Sequence, residues 1–175
     1  MKTHVDAFDY AGTICSAMRK GILLTTKAAD FVNTMTIGWG KIGIEWNRPI
    51  FIAYVRESRY TKDMLDRSGE FTVNVPIGEI DGNILSYCGK RSGRNTDKIR
   101  DLGLTLVESD VVNAPGILEL PLTLECKIIY RQLQDLNEIQ PKHLDRFYPH
   151  NTETDSRDPH IAYYGEIVNA YLIER

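Results

Sequence analysis

The sequence predicts a mainly β protein, a closed or partly closed antiparallel barrel with a few short helices. Strand-like patterns of apolar residues outnumber helical ones along the chain. The helical segments are short and irregularly spaced, so the repeated βαβ units of a parallel sheet are not expected. The chain has 175 residues, of which 42% are hydrophobic and 26% charged. This is an ordinary globular balance, and we expect a single domain over residues 1–175.

Six segments have the composition and periodicity of strands. Residues 71–75 alternate cleanly, with three apolar residues on one face and Thr72 and Asn74 on the other. Ile50–Val55 is almost continuously apolar, which predicts a strand buried on both faces. Gly165 predicts a bulge or bend within the last strand. The predicted strands are Gly21–Thr26, Phe31–Ile37, Ile50–Val55, Phe71–Val75, Leu122–Leu133 and Ile161–Ile173.

Three segments have helical signals, and a polar stretch late in the chain predicts a loop. Thr61 is predicted to N-cap a helix that runs to about Ser68, with Gly69 as its left-handed stop. The segment His150–His160 is polar and is predicted to form a long exposed loop. The other two predicted helices are Asp81–Lys90 and a short segment that begins at Thr96 or Asp97 and ends at Gly103.

Charge and cysteine content exclude several classes of protein. The net charge is −3 and the isoelectric point is near 5.8, so we expect no binding to nucleic acid or acidic membranes. The apolar runs are too short to cross a bilayer. The first six residues are polar and lack the apolar core of a signal peptide. Three widely spaced cysteines argue against a disulfide framework, and we expect a cytoplasmic protein.

One apparent nucleotide-binding motif does not fit its surroundings. Gly38–Gly43 spells G-x-G-x-x-G, which in a Rossmann fold requires a helix at its last glycine. Pro49 follows too closely for that helix, so we interpret the glycines as a tight connection where the backbone approaches a ligand closely. No histidine pair with metal-ligand spacing occurs in the sequence, and no metal site is predicted.

Three segments have the residues of one ligand site. Asn33–Gly40 combines small polar side chains, a tryptophan and glycines, which suits a flat ring with polar edges but also a half-exposed strand. Ser58–Thr61 offers hydroxyls, a guanidinium and free helix N–H groups, which suit an anion or simple capping. Cys88–Lys98 holds four cations against one acid, as a solvated basic loop also would. Cys88 is interpreted as a reactive thiol or as a small buried helix residue.

Taken in order, these segments resemble the flavin reductase-like, FMN-binding split-barrel family, and its flavoredoxin branch in particular. The resemblance extends from about Gly21 to Val168. The motifs that support it are Asn33-Thr34-Met35-Thr36 with Trp39-Gly40, then Gly43, Trp46 and Pro49, Ser58-Arg59-Tyr60-Thr61, residues 69–76, Ser92-Gly93-Arg94 with Asp97-Lys98, and Gly165-Glu166-Ile167-Val168.

The resemblance implies a six-stranded antiparallel split barrel, a homodimer, and FMN bound near the subunit interface. It implies that NAD(P)H is the electron donor to bound or free flavin. A C-terminal histidine motif that binds nicotinamide in some reductases of this superfamily is not evident, and His160 is the nearest candidate. Carried over by position, the cofactor-binding residues are Asn33, Thr34, Met35, Thr36 and Trp39 along the flavin, Ser58, Arg59 and Thr61 at the phosphate, and Cys88, Gly89, Ser92, Gly93 and Lys98 completing the pocket.

Two other functions stay open at this point. The chain is alternatively an FMN-binding electron carrier that does not turn over pyridine nucleotides. A pyridoxal-phosphate-handling oxidase is a third possibility, since related split barrels bind that phosphate, although the match over residues 33–39 argues against it. No acid–base pair of side chains is evident, which agrees with a flavin performing the chemistry itself.

Overall fold

A computed structural model describes residues 1–174. In this part of the chain the strands are β1 (Lys2–His4), β2 (Ile22–Ala28), β3 (Phe31–Ile37), β4 (Gly40–Glu45), β5 (Arg48–Arg56), β6 (Glu70–Val75), β7 (Leu106–Val107), β8 (Gly116–Ile117), β9 (Leu122–Leu133) and β10 (His160–Ile173). The α-helices are α1 (Ala11–Met18), α2 (Tyr60–Ser68), α3 (Gly82–Lys90), α4 (Lys98–Leu102) and α5 (Pro141–Phe147), and 3-10 turns lie at Ala7–Tyr10 and Leu136–Glu138.

The main sheet is antiparallel and is split between its two end strands. Its order is β3-β2-β6-β9-β10-β5-β4, with β1 paired to the far end of β10. The end strands β3 and β4 follow one another in sequence and are joined by Gly38 and Trp39. The mainly β prediction is confirmed, and the free edge of β3 is left beside the end of β5.

The predicted strands are all present, with small changes at their ends, but β1, β7, β8 and the longer β4 were not predicted. Strand β4 begins at Gly40, inside the glycine motif, and pairs with β5 along its whole length. A Cβ atom at Gly40 would lie 2.9 Å from Sδ of Met18 and 3.0 Å from the carbonyl oxygen of Ile52. The glycine therefore allows α1 to pack closely on the sheet, and no helix follows the motif. The helices α1 and α5 were also missed by the sequence patterns.

The prediction that residues 50–55 are buried on both faces was wrong over most of that segment. Phe51, Ala53 and Val55 are fully buried in the main core, whereas Ile52 and Tyr54 on the opposite face are only half-buried. The reason is that only part of the outer face is covered: Arg56 donates to the carbonyl oxygen of Phe147 at the end of α5, whereas Tyr54 borders an open pocket.

The bulge predicted at Gly165 is present. The register between β10 and β9 shifts between Tyr164 and Gly165. A Cβ atom at Gly165 would lie 2.6 Å from the ring of Phe71 and 2.8 Å from Cβ of Cys126. Glycine is therefore required where the core aromatic ring meets the backbone of the last strand.

Two helix ends follow the sequence signals and one does not. Gly69 has a φ of 70° and ends α2, as predicted. Asp97 caps α4 by accepting from the N–H of Arg100. The predicted N-cap role of Thr61 was wrong, because α2 begins at Tyr60 and Thr61 lies in its first turn. The Thr61 hydroxyl is instead buried against Asn33.

The helices described for residues 1–174 lack the length and apolar character needed to cross a bilayer. The same residues contain no group of three or more histidine, cysteine or acidic side chains arranged to hold a metal ion.

Candidate functional site

Three connected cavities lie at the split of the sheet. The first, which we call the cationic cavity, has a volume of about 220 Å³ and lies between the start of α2 and the loop before α4. The second, the edge cavity, has a volume of about 200 Å³ and follows the free edge of β3. The third, the aromatic pocket, has a volume of about 660 Å³ and opens towards α1 and α5.

Shared walls join these cavities in a row. Met35, Arg56 and Arg59 line both the cationic cavity and the edge cavity. Trp39 and Tyr54 line both the edge cavity and the aromatic pocket. The row therefore runs from a charged end, through a narrow middle along β3, to a wider aromatic end.

Lys98 is the most unusual residue of the cationic cavity. It is only 4% exposed, and its Nζ atom contacts the carbonyl oxygens of Cys88 at 3.5 Å and Arg91 at 3.3 Å. Burial, with a smaller contribution from the positive charge of Arg59, lowers the pKa of the Lys98 ammonium to about 8. A buried cation with only neutral partners is poised for an anionic ligand.

Three arginines border the same cavity. The guanidinium of Arg56 donates to the carbonyl oxygens of Asp158 at 2.7 Å and Phe147 at 2.8 Å. Arg59 donates to the carbonyl oxygen of Gly89 at 3.2 Å. These neutral partners fix the side chains without cancelling their charge. Arg91 is the third.

One carboxylate reduces this positive charge. Asp158 lines the cationic cavity and accepts from both the N–H and the hydroxyl of Ser58, at 3.1 and 2.6 Å. Arg94 turns away from the cavity, because its guanidinium pairs with Asp63 at 2.5 Å. The cavity lining therefore has four basic side chains, those of Arg56, Arg59, Arg91 and Lys98, against the single acid Asp158.

Gly93 and Asn33 form a tight contact at the wall of the cationic cavity. Asn33 is buried and donates from Nδ2 to the hydroxyl of Thr61 at 2.9 Å. Its Oδ1 atom has no hydrogen-bond partner within residues 1–174. A Cβ atom at Gly93 would overlap Oδ1 of Asn33 and lie 3.0 Å from the ring of Tyr60. The loop can approach β3 and α2 this closely only with glycine at position 93.

Nine of the thirteen predicted site residues line the two smaller cavities, and four do not. Thr34 is fully buried on the face of β3 opposite the main core, where its hydroxyl donates to the carbonyl oxygen of Leu24. Cys88 lies in a second core cluster, and burial raises the pKa of its thiol to about 11, which favours a small buried helix residue over a reactive thiolate. Asn33 and Gly89 lie just behind the walls. The residues brought together are Met35, Thr36, Trp39, Ser58, Arg59, Thr61, Ser92, Gly93 and Lys98.

His160, which the sequence offered only as the nearest candidate for a nicotinamide-binding histidine, lines the edge cavity. Its ring centroid lies 5.0 Å from that of Trp39, and its Nδ1 atom lies 2.8 Å from the hydroxyl of Tyr148. Burial, with a further contribution from Arg56, lowers the pKa of His160 to about 4. The imidazole is therefore neutral at physiological pH.

Tyr54 and Arg56 also line the edge cavity, but they were not among the site residues predicted from the sequence. The one feature of the sequence that could have indicated them is their position at the end of a predicted strand.

With this geometry established, comparison with known proteins identifies the family. Residues 17–175 match the family model described as "Flavin reductase like domain". The chain belongs to the flavin reductase-like domain family. The resemblance found in the sequence motifs is thereby confirmed.

The chain is similar to several flavin reductase-like proteins of known structure. It resembles the flavoredoxin of Desulfovibrio vulgaris (Miyazaki F), with a TM-score of 0.64 and 25% identity over 88% of this chain and 69% of that one. Flavoredoxin from Methanosarcina acetivorans gives a TM-score of 0.63 and 26% identity over 88% and 68% of the two chains.

Curated sequences also match. An uncharacterised protein of Archaeoglobus fulgidus is 34% identical over 106 residues, which are 61% of this chain and 59% of that protein. The matches cover between 51% and 59% of the length of the curated relatives.

Proposed function

We propose that the chain binds FMN non-covalently, one molecule per subunit, in the cationic and edge cavities. The observation that carries the proposal is the buried ammonium of Lys98, which has only carbonyl oxygens as partners. A cation buried without an anion is unfavourable, so a bound phosphate would stabilise it. The two flavoredoxin structures described above support a flavin as the molecule that bears this phosphate.

The residues fit the two ends of such a ligand. Arg59, Arg91 and Lys98 would hold the phosphate, because their charges are not cancelled within the cavity. Gly93 lets the loop pack against Asn33 and Tyr60 and so form the wall of the cavity beside it. The free edge of β3, from Met35 to Trp39, would lie along the ring in the edge cavity. Four predicted site residues do not line either cavity and lie behind the residues that do: Asn33, Thr34, Cys88 and Gly89.

We further propose that the protein is an NAD(P)H-dependent flavin oxidoreductase. Bound FMN supplies the hydride and electron transfer, and the protein binds, orients and shields it. Trp39 is 42% exposed and borders the open side of the edge cavity, where a nicotinamide would approach. His160 lines the same cavity as a neutral imidazole and orients a ligand by hydrogen bonding, without adding charge.

Two measurements test these proposals in order. The visible spectrum of the purified protein should show bound flavin, and heat should release FMN and not FAD. Anaerobic mixing with NADH or NADPH should then bleach the flavin. Absence of flavin after soaking with FMN would refute the cofactor, whereas bound FMN that neither donor reduces would refute only the reductase activity.

A second candidate function is an FMN-binding electron carrier without pyridine nucleotide turnover. The likeness to two flavoredoxins at 25% and 26% identity favours it. Under this alternative, bound FMN would be reduced by a low-potential chemical donor but by neither NADH nor NADPH. The same anaerobic experiment therefore distinguishes the two functions.

We infer that two copies of the chain form a homodimer through the outer face of β9, β10 and the β4–β5 turn. An aromatic row crosses this face: the ring of Tyr130 lies 6.0 Å from that of Trp46 and 4.9 Å from that of Tyr164. Trp46 is 59% exposed and Ile44 72% exposed. Such a continuous apolar surface is typical of an interface. Light scattering should give the dimer mass, and Trp46→Glu should shift it to the monomer mass.

Three free thiols support the expected cytoplasmic location. Cys15, Cys88 and Cys126 are all unpaired, as is usual in a reducing compartment.

A further inference from the structure

The aromatic pocket is a separate chamber beyond the flavin site. Its volume of about 660 Å³ is within the range of small-molecule pockets. It is open to solvent on one side and meets the edge cavity at Trp39 and Tyr54. None of the groups proposed to hold the phosphate reaches it, and of its lining residues only Gly38 and Trp39 belong to the segment proposed to lie along the flavin ring.

The walls of the pocket are largely aromatic. Trp39 packs edge-on against Phe147 of α5, with ring centroids 5.3 Å apart and planes at 87°. Tyr54 and Tyr148 are also aromatic lining residues, and Met18 of α1 lines the pocket with them. Aromatic faces and edges presented to a common space favour a planar aromatic ligand, which stacks or packs edge-to-face against them.

The charged residues of the pocket have one sign. Arg19 and Lys41 line it, and none of the described residues that line it is acidic. The Lys41 ammonium lies 5.7 Å from the centroid of the Tyr54 ring, so it stands over an aromatic wall. Two cations next to aromatic walls match a ligand that is both planar and anionic.

We propose that the aromatic pocket binds a planar aromatic carboxylate, with its ring packed against the aromatic wall that Trp39 and Phe147 form together and its carboxylate towards Arg19 and Lys41. The binding site is separate from the cationic cavity. It would place such a molecule beside the edge cavity, across the Trp39 wall, and so deepens the proposed function by naming a substrate class.

The rate at which Cys15 is alkylated reports whether this pocket is occupied, and its measurement does not depend on any enzymatic activity of the protein. The Cys15 thiol lines the pocket and is exposed, whereas Cys88 and Cys126 are fully buried. Alkylation of the native protein by iodoacetamide should therefore occur at Cys15, and Cys15→Ser should abolish it. A ligand in the pocket should slow the alkylation, which mass spectrometry of the intact chain measures.

The test uses FMN-saturated protein and three probes: naphthoate, its neutral isostere naphthamide, and the non-planar anion cyclohexanecarboxylate. Naphthoate should protect Cys15 at concentrations at least tenfold lower than either of the others, since only naphthoate is both planar and anionic. Equal protection by naphthamide, or none by naphthoate, would overturn the proposal. NADPH is added separately as a fourth ligand, and protection by NADPH with none by naphthoate would assign the pocket to the electron donor instead.

Substitutions of single cations, inside and outside the pocket, show which positive charges bind the carboxylate of the ligand. Arg19→Gln and Lys41→Gln should each weaken protection by naphthoate about five- to tenfold, between the values for exposed and buried charged contacts. Lys20→Gln removes a neighbouring cation that lies outside the pocket and should change nothing. An equal loss in Lys20→Gln would show a general charge effect and contradict the site. FMN absorbance, recorded in the same samples, reports separately on whether the flavin proposal holds.

Discussion

The Nδ1 atom of His160 lies 2.8 Å from the hydroxyl oxygen of Tyr148, and that hydroxyl donates to Oε1 of Gln134 over 2.6 Å. Because the hydroxyl proton is used by Gln134, Nδ1 of His160 must be the donor to Tyr148. The remaining ring nitrogen, Nε2, is then a hydrogen-bond acceptor on a ring that lines the edge cavity. The chain fixes the tautomer of His160 as well as its position.

This arrangement predicts a stability that depends on pH. The pKa of His160 is lowered from 6.5 to about 4 in the folded protein, so between these values the unfolded chain binds a proton that the folded chain does not. The free energy of unfolding should therefore fall as the pH drops from 6.5 to 4, by roughly 3 kcal/mol from this residue. Chemical denaturation at a series of pH values measures it.

The control for His160 is the variant His160→Gln, which cannot take up the proton. Its unfolding free energy should fall less than that of the wild type over the same pH range, by the same roughly 3 kcal/mol. Carboxylates that titrate in this range contribute equally to both proteins and cancel in the difference. Parallel pH curves for the two proteins would show that His160 is not buried as a neutral ring.

The lowered pKa of Lys98 leads to a second prediction, that the affinity for FMN depends on pH. This pKa of about 8 without ligand means that the ammonium loses its proton as the pH rises above that value. If the charged form is needed to bind phosphate, the affinity should fall towards tenfold per pH unit above pH 8. The phosphate itself titrates near pH 6 and is fully charged in this range.

Lys98→Met should abolish this pH dependence and weaken binding of FMN at neutral pH. Lys90→Met is the matched control, because Lys90 is an exposed cation at the end of α3 that lies outside the cationic cavity. Fluorescence titration of FMN into flavin-free protein measures both. An unchanged pH profile in Lys98→Met would remove Lys98 from the phosphate site.

Local signals in the sequence were sufficient for much of the fold. The bounds of β3 and β9 were predicted to the residue, because apolar and β-branched side chains dominate these segments between clear turn residues. Gly69 ends α2 and Asp97 caps α4 as predicted, since both roles depend only on neighbouring backbone groups. Structural features that depend on only a few adjacent residues could therefore be predicted from the sequence.

The rest depends on contacts between distant parts of the chain. His160 enters the site because β10 pairs with β5 in a register that places it opposite Arg56, and sequence periodicity does not fix such a register. Thr34 does not line the cavities for a similar reason: its cross-strand partner is Thr25, whose hydroxyl donates to it at 2.9 Å on the sheet face opposite the main core. The side of a strand that faces a cavity emerges only when the sheet is assembled.

Gly93→Ala tests the close approach of the loop to β3. The added methyl group would overlap the amide of Asn33, which cannot move freely because it is buried and hydrogen-bonded to Thr61. We expect a loss of about 1–3 kcal/mol in unfolding free energy, with weaker binding of FMN. Gly82→Ala is the control, since a Cβ atom there meets nothing within 4 Å. A wild-type melting temperature for Gly93→Ala would show that the loop adjusts without cost.

Arg59 provides the sharpest test of the cationic cavity, because it lines both that cavity and the edge cavity. Arg59→Ala should weaken FMN binding by roughly 1.5–3 kcal/mol, the range for a hydrogen bond to a charged group. Arg59→Lys should restore only part of this, since an ammonium lacks the forked guanidinium that binds a phosphate at two oxygens. Arg67→Ala, at the exposed end of the same helix, should bind FMN like the wild type. If Arg59→Ala and Arg67→Ala gave the same dissociation constant, the start of α2 would have no part in the site. The anion would then depend on Lys98 and the 91–93 loop alone.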